Sequence, residues 1–353
     1  MKLSIFRSGL IVASSLLIFM GADLQAQKKS KAKAIVKEVV APVEEYKLPT
    51  LSAEYYNKKN DIKPIDSVYY APDRFKGRVI IITGAARGIG RATAIRAAKE
   101  GAKVVVADWL PKEGENTAAT IRSMGGDAIF VKTDIRSTAD CYNMVEQAVA
   151  KYGRVDAAVL NAGIMDGAKS GDTLDYMNNQ NILPIAIDRA TDEYWDNVMA
   201  VNATGTFKSL RSVLHQMMKQ GNGGAIVNVG SIAAMTGLAG NPAYVASKHA
   251  VTGLTRNAAV DYAPYGIRVN SVNMAATATP MTDRAFAFVM ESKKHGVAGM
   301  GGAKTLSLLA MSDSNKRMAT PWEQASMILF LISDEASNFT GGIYATDGGW
   351  TAY

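Results

Sequence analysis

The chain has 353 residues, 48% of them hydrophobic, enough apolar mass for one large core or two smaller ones. Of its formal charge of +7, residues 1–72 carry +4, so the rest is nearly balanced and offers no nucleic-acid face. The single cysteine, Cys141, excludes an internal disulfide, and the scattered His215, His249 and His295 lack metal-ligand spacing, so no metal site is expected.

At the start of the chain, Lys2 and Arg7 precede an uncharged, mostly apolar run over residues 8–22, then small and polar residues to Ala26. This is the three-part layout of a secretory signal peptide, expected over residues 1–26. The run is shorter than the roughly 20 residues that span a bilayer, so a cleaved signal is expected and an uncleaved membrane anchor is the alternative. Either way the protein is expected to be exported, to the periplasm or tethered to a membrane. Residues 27–72 are rich in Lys and Glu, interrupted by prolines, and read as a flexible tether. "DSVYYAPDRF" (66–75) is expected to dock on the domain through its tyrosines.

From about residue 73 the pattern changes. "RVIIIT" (78–83) predicts a buried strand, 88–101 a helix ended by Gly101, and "AKVVVAD" (102–108) a second strand. A helix follows near 112–124, a strand over 128–134, a helix over 137–152 and a strand within 155–163. The alternation resumes with a helix near 192–220, a strand over 224–231, a helix from about 243, a strand over 266–272, a helix over 321–333 and a short strand near 342–346. Continuous apolar strands alternating with helices make a parallel sheet covered on both faces, hence one α/β domain of about seven strands over 73–353. An insertion over 165–190 and a lid over 282–318 interrupt the pattern. Both follow strand ends where open α/β sheets bind ligands.

"TGAARGIG" (83–90) joins the first strand to the first helix. Gly84, Gly88 and Gly90 permit a tight turn, close approach to a pyrophosphate and close helix–strand packing, with Arg87 and Ile89 between them. Asp108 ends the second strand, where a carboxylate accepts hydrogen bonds from ribose hydroxyls and repels a 2′-phosphate. That favours NAD, and NADP only to the extent that Arg87 could hold the extra phosphate. Tyr244 and Lys248 lie four apart on one helix face. A tyrosine phenol can move the hydroxyl proton of a carbinol as hydride moves, provided a cation draws its pKa of about 10 downward. Lys248 is placed to be that cation. Ser231, thirteen positions before Tyr244, could hydrogen-bond the reacting oxygen.

Gly84-x-x-x-Gly88-x-Gly90, Asn161-Ala162-Gly163 and Tyr244-x-x-x-Lys248 together resemble the short-chain dehydrogenase/reductase family over residues 74–353. The resemblance implies a single doubly wound Rossmann-type domain and a homodimer or homotetramer. It implies that Asp134 and Ile135 lie near the adenine and that Asn161–Gly163 floor the adenosine ribose. It implies that Lys248 also binds the nicotinamide ribose, and that Asn202 is a fourth active-site residue, bending its helix and holding a water. Thr279 should reach the carboxamide or pyrophosphate. One place departs from the family pattern: Met274-Ala275 stand where a Pro-Gly usually shapes the backbone beside the nicotinamide, and Ala275 cannot readily take a positive φ.

The expected function is NAD-dependent interconversion of a secondary alcohol and a ketone by hydride transfer, with Tyr244 as general acid/base. The apolar 282–318 region favours a hydrophobic, steroid-like or cyclic substrate, unless those residues pack against the body or a neighbouring subunit. A 3-oxoacyl carrier-protein reductase is one alternative. A catalytically silent NAD-binding protein is the other.

Overall fold

A computed structural model describes residues 64–352, apart from 170, 173, 174, 176, 177, 295–307 and 314. The expected signal and most of the tether therefore lie outside the described residues, as does part of the expected insertion and lid. Among the described residues, no helix is long and apolar enough to cross a membrane.

Seven strands form one parallel sheet in the order β3-β2-β1-β4-β5-β6-β7. They are β1 (Val79–Thr83), β2 (Lys103–Asp108), β3 (Asp127–Lys132), β4 (Ala157–Leu160), β5 (Gly224–Val229), β6 (Ile267–Met274) and β7 (Ile343–Thr346). The connecting helices are α1 (Gly88–Lys99), α2 (Pro111–Ser123), α3 (Thr138–Tyr152), α4 (Asp192–Met199), α5 (Thr206–Gln220), α6 (Pro242–Tyr262), α7 (Pro280–Lys294), α8 (Leu308–Ser312) and α9 (Pro321–Ile332). The central strands β1, β2, β4, β5 and β6 bury both faces, which is why they read as nearly unbroken apolar runs, while the edge strands β3 and β7 are partly exposed. Ile80, Ile82, Val104 and Val106 join a core with Ile328 and Leu329 of α9, while Val79, Ile81 and Val105 join another with Met144 of α3 and Leu210 and Met217 of α5.

Local chemistry sets the helix ends. Ser137 accepts from the Asp140 N–H at 3.2 Å to start α3, and Gly153, at φ +83°, stops it. Thr320 and Glu323 form a reciprocal capping box at α9. The expected helix over 192–220 is present without interruption and carries a π turn, Ala200–Gly205, between α4 and α5.

The 66–75 segment lies against the domain through the buried Phe75 more than through its tyrosines: Tyr70 is exposed, and the half-exposed Tyr69 ring lies 4.9 Å from the Arg96 guanidinium. Arg96 and Arg74 both pair with the fully buried Glu100, at 2.9 and 3.1 Å. Strand order reverses between β1 and β4, so the crevice beyond their carboxyl ends is the place for a ligand.

Candidate active site

A cavity of about 780 Å³ opens at those carboxyl ends. Every residue singled out in the sequence lines it except Gly90 and Asn202. Gly90 is a packing position, because a Cβ there would come within 2.2 Å of the Gly84 carbonyl oxygen. Gly84 has φ +65°, and its Cβ would meet Ala162 Cα at 2.8 Å, so the turn can pass β4 only without side chains. Arg87 caps α1 with extended backbone and no side-chain bond, leaving the first N–H groups of the helix directed at the cavity. These features fit a pyrophosphate.

Asn161 ties the two strand ends together. Its Nδ2 donates to the Thr83 and Gly84 carbonyls, each at 3.1 Å, and its own N–H donates to Thr83 Oγ1 at 3.0 Å. Asp108, at the end of β2, accepts from the N–H of Ala86 at 2.8 Å and of Leu110 at 2.9 Å. Burial pushes its carboxyl above the usual range against the pull of those N–H groups. One lone pair on each oxygen remains for ribose hydroxyls. Burial also acts on Asp134, but bonds from Arg136 at 2.7 to 3.1 Å outweigh it and hold that carboxyl low.

Trp109, not singled out from the sequence, lines the cavity beside Asp108, with Lys132 Nζ and Arg136 Cζ 5.7 and 5.6 Å from its ring. Its signal was available: an aromatic directly after the strand-ending acid. Its indole could hold an adenine face.

At the other end of the cavity stand Tyr244, Ser231 and Lys248. Tyr244 is buried, which raises its pKa, while a hydrogen bond with the Ser231 hydroxyl pulls it down. Ser231 itself is held by its N–H, which donates to Asn273 Oδ1 at 3.2 Å. Lys248 is 5% exposed, and burial pushes its ammonium down to about 8. Its Nζ donates to the Val229 carbonyl at 3.0 Å and lies 5.6 Å from the Tyr244 ring centroid. So the cation sits over the ring with its own partner, and the Ser231 hydroxyl is the neighbour that draws the phenol's pKa down.

Asn202 lies behind this set, in the π turn. Its Oδ1 accepts from the Ile164 N–H at 2.8 Å, and its Nδ2 donates to the Ile164 carbonyl at 2.7 Å and to Ser247 Oγ at 3.0 Å. The carboxamide is thus committed to the loop after β4 and to α6, so it positions its neighbours rather than facing the cavity. Gly163 lies between it and the lysine: a Cβ there would be 3.2 Å from Asn202 Oδ1 and 3.5 Å from Lys248 Nζ.

The wall beyond Tyr244 is largely apolar, with Val201, Leu238, Met281, Phe286, Val289 and Trp350. Arg284 of α7 donates to Asp166 at 2.6 Å, joining the loop after β4 to the helix over the cavity. Burial raises the Asp166 carboxyl, and the Arg284 charge opposes this. Thr279 lies beside Gly88 in the cavity wall, where a Gly88 Cβ would lie 3.4 Å from its methyl. Ala275 avoids the strain feared for it. Among the described residues only Asp73 and Lys316 are non-glycines with positive φ.

Fold and site together define a nucleotide-binding oxidoreductase built on a doubly wound sheet. A family model described as short chain dehydrogenase matches residues 78–289, and the chain belongs to that family, whose members act on CH–OH groups. It is 40% identical to a 3beta-hydroxysteroid dehydrogenase of Mediterraneibacter gnavus over 79% of this chain and 97% of that one. It is 35% identical to a cyclopentanol dehydrogenase of Comamonas sp., over 79% and 99%. A short chain dehydrogenase from Mycobacterium paratuberculosis, solved bound to NAD, superposes with a TM-score of 0.68 at 30% identity, covering 79% of this chain and all of that one.

Proposed function

We propose that this enzyme interconverts a hydrophobic cyclic secondary alcohol and its ketone, with NAD(H) preferred over NADP(H). The observation that carries the reading is the single cavity with Asp108 at one end and the buried Tyr244, Ser231 and Lys248 at the other. Bound NAD(H) supplies the site that accepts or gives up hydride.

The chain's residues do the rest. The α1 N-terminus and its glycine turn hold the pyrophosphate, and the carboxylate of Asp108, despite the nearby Arg87 charge, favours ribose hydroxyls over a 2′-phosphate. The Ser231 hydroxyl holds the substrate oxygen beside Tyr244 Oη. Tyr244 takes the alcohol proton in oxidation and returns it in reduction, and Lys248 stabilises the phenolate between the two. The apolar wall excludes water and favours a ring system. Relatives named for a hydroxysteroid and for cyclopentanol support that substrate class.

The test is the full chain with NAD⁺ and a panel of cyclic secondary alcohols that includes a 3β-hydroxysteroid and cyclopentanol. NADH absorbance should rise with at least one, and Tyr244→Phe should lower that rate by about 10²- to 10⁴-fold while NADH still binds. Dinucleotide binding without turnover of any alcohol would support a silent binder instead. Retained turnover in the phenylalanine variant would remove Tyr244 from its role.

A further inference from the structure

The loop leaving β6 runs through Ala275–Thr279 along the cavity wall, where the family resemblance expects a Pro-Gly to shape the backbone beside the nicotinamide. Neither residue is present, so something else must fix this loop. Main-chain pairing fixes part of it. The Ala278 N–H donates to the Ala319 carbonyl at 2.9 Å, and the Ala319 N–H donates to the Ala276 carbonyl at 3.2 Å. Thr277 between them lies opposite Ala319 in a parallel bridge.

Within the loop the Thr277 hydroxyl donates to the Ala275 carbonyl at 3.2 Å, and Thr282 Oγ1 donates to the Thr277 carbonyl. The tie to the neighbouring strand comes from α9. Gln324 is 2% exposed and sits on a helix face whose other buried residues are Ala325, Ile328, Leu329, Leu331 and Ile332. A carboxamide is costly in such a place unless it is hydrogen-bonded. This one is bonded at every polar atom. Its Nε2 donates to Thr277 Oγ1 at 3.3 Å and to the Thr346 carbonyl at 3.2 Å, and its Oε1 accepts from Thr346 Oγ1 at 2.6 Å. Thr277 belongs to the loop after β6 and Thr346 ends β7, and both line the cavity. A single buried side chain therefore locks two neighbouring segments of the wall to each other.

We infer that Gln324 is the positioning residue for the nicotinamide end of the cavity, doing for the Met274-Ala275 loop what a rigid Pro-Gly would otherwise do. The inference rests on the proposed binding of NAD(H) and assigns Gln324 no contact with the reacting atoms. It predicts an effect confined to one half of the dinucleotide. ADP-ribose shares the adenosine, pyrophosphate and second ribose of NADH and lacks the nicotinamide, so the pair separates the two halves.

The experiment measures affinities of the full chain for NADH and for ADP-ribose, in wild type and in Gln324→Leu, which keeps the bulk and removes all three bonds. The variant should bind NADH about tenfold more weakly and ADP-ribose within about twofold of wild type. Equal losses for both ligands, or no loss for either, would overturn the inference. If the leucine variant does not fold, Thr346→Val removes one of the bonds and leaves the loop's own bonds in place, and it should move the NADH-to-ADP-ribose ratio in the same direction by less. An unmoved ratio there would also overturn it. A wild-type chain that binds ADP-ribose as tightly as NADH gains nothing from the nicotinamide end, which sinks the inference alone. One that binds neither sinks the underlying reading and the inference with it.

Discussion

Lys248 stands in a place that works against folding. Its ordinary pKa of 10.5 falls to about 8 in the folded chain because burial penalises the charged form. Between those values the unfolded chain keeps a proton that the folded chain has released, so stability gains as pH rises through that window. Below pH 8 both states are protonated and the burial penalty is present in full. Lys248→Met should therefore be more stable than wild type at pH 7, by about 2 kcal/mol, with the gap closing above pH 10. Denaturant unfolding at pH 7 and pH 10 checks it, and the same variant should lose turnover. Asp108 is a second residue whose charge is the point. Asp108→Asn keeps the shape and the acceptor oxygen, so the NAD-over-NADP ratio of kcat/KM should narrow by about tenfold. A wild-type preference for NADP would refute the cofactor reading outright.

Among the elements, the central strands were legible because burial on both faces leaves no polar alternation to misread. Each of the seven expected strands overlaps an observed one, as Val79–Thr83 and Lys103–Asp108 illustrate. The π turn in the helix after Thr191 was legible only through the family resemblance, which implies a bend at Asn202. "AVNATG" is a plain stretch of sequence, and its π turn is held by bonds from Asn202 to Ile164, 38 positions away. The Asp166–Arg284 pair was invisible for the same reason, its partners being 118 positions apart. That pair joins α7 to the loop after β4, across the mouth of the substrate end. Asp166 is 7% exposed, so removing its partner leaves a buried carboxylate unpaired. Arg284→Met should loosen α7 and raise the KM for the alcohol by about three- to tenfold, with a smaller change in kcat and none in NADH affinity. Steady-state kinetics with the best alcohol of the panel would show the split.

At the scale of the whole molecule, the family motifs converge on one cavity because the residues they name sit at strand ends, which sequence places reliably. The substrate half comes from α7, α8 and the C-terminal turn with Trp350, whose meeting depends on packing that spacing alone does not reveal. We propose export as well, from the signal-like composition of residues 1–26. A fusion of residues 1–30 to a reporter should leave the cytoplasm, and a reporter retained there would end that proposal.

The π turn at Ala200–Gly205 makes the count of residues in this segment matter as much as their identity. Each residue of an α-helix advances the chain by about 100° around the axis. Deleting any one residue there would let α4 and α5 merge into a regular helix and swing Asn202 away from Ile164. Every catalytic side chain would still be present, yet the loop after β4 would lose its anchor. A gap of one position, harmless in most helices' surface loops, is here a route by which a descendant of this chain could keep its fold and its dinucleotide turn while falling silent.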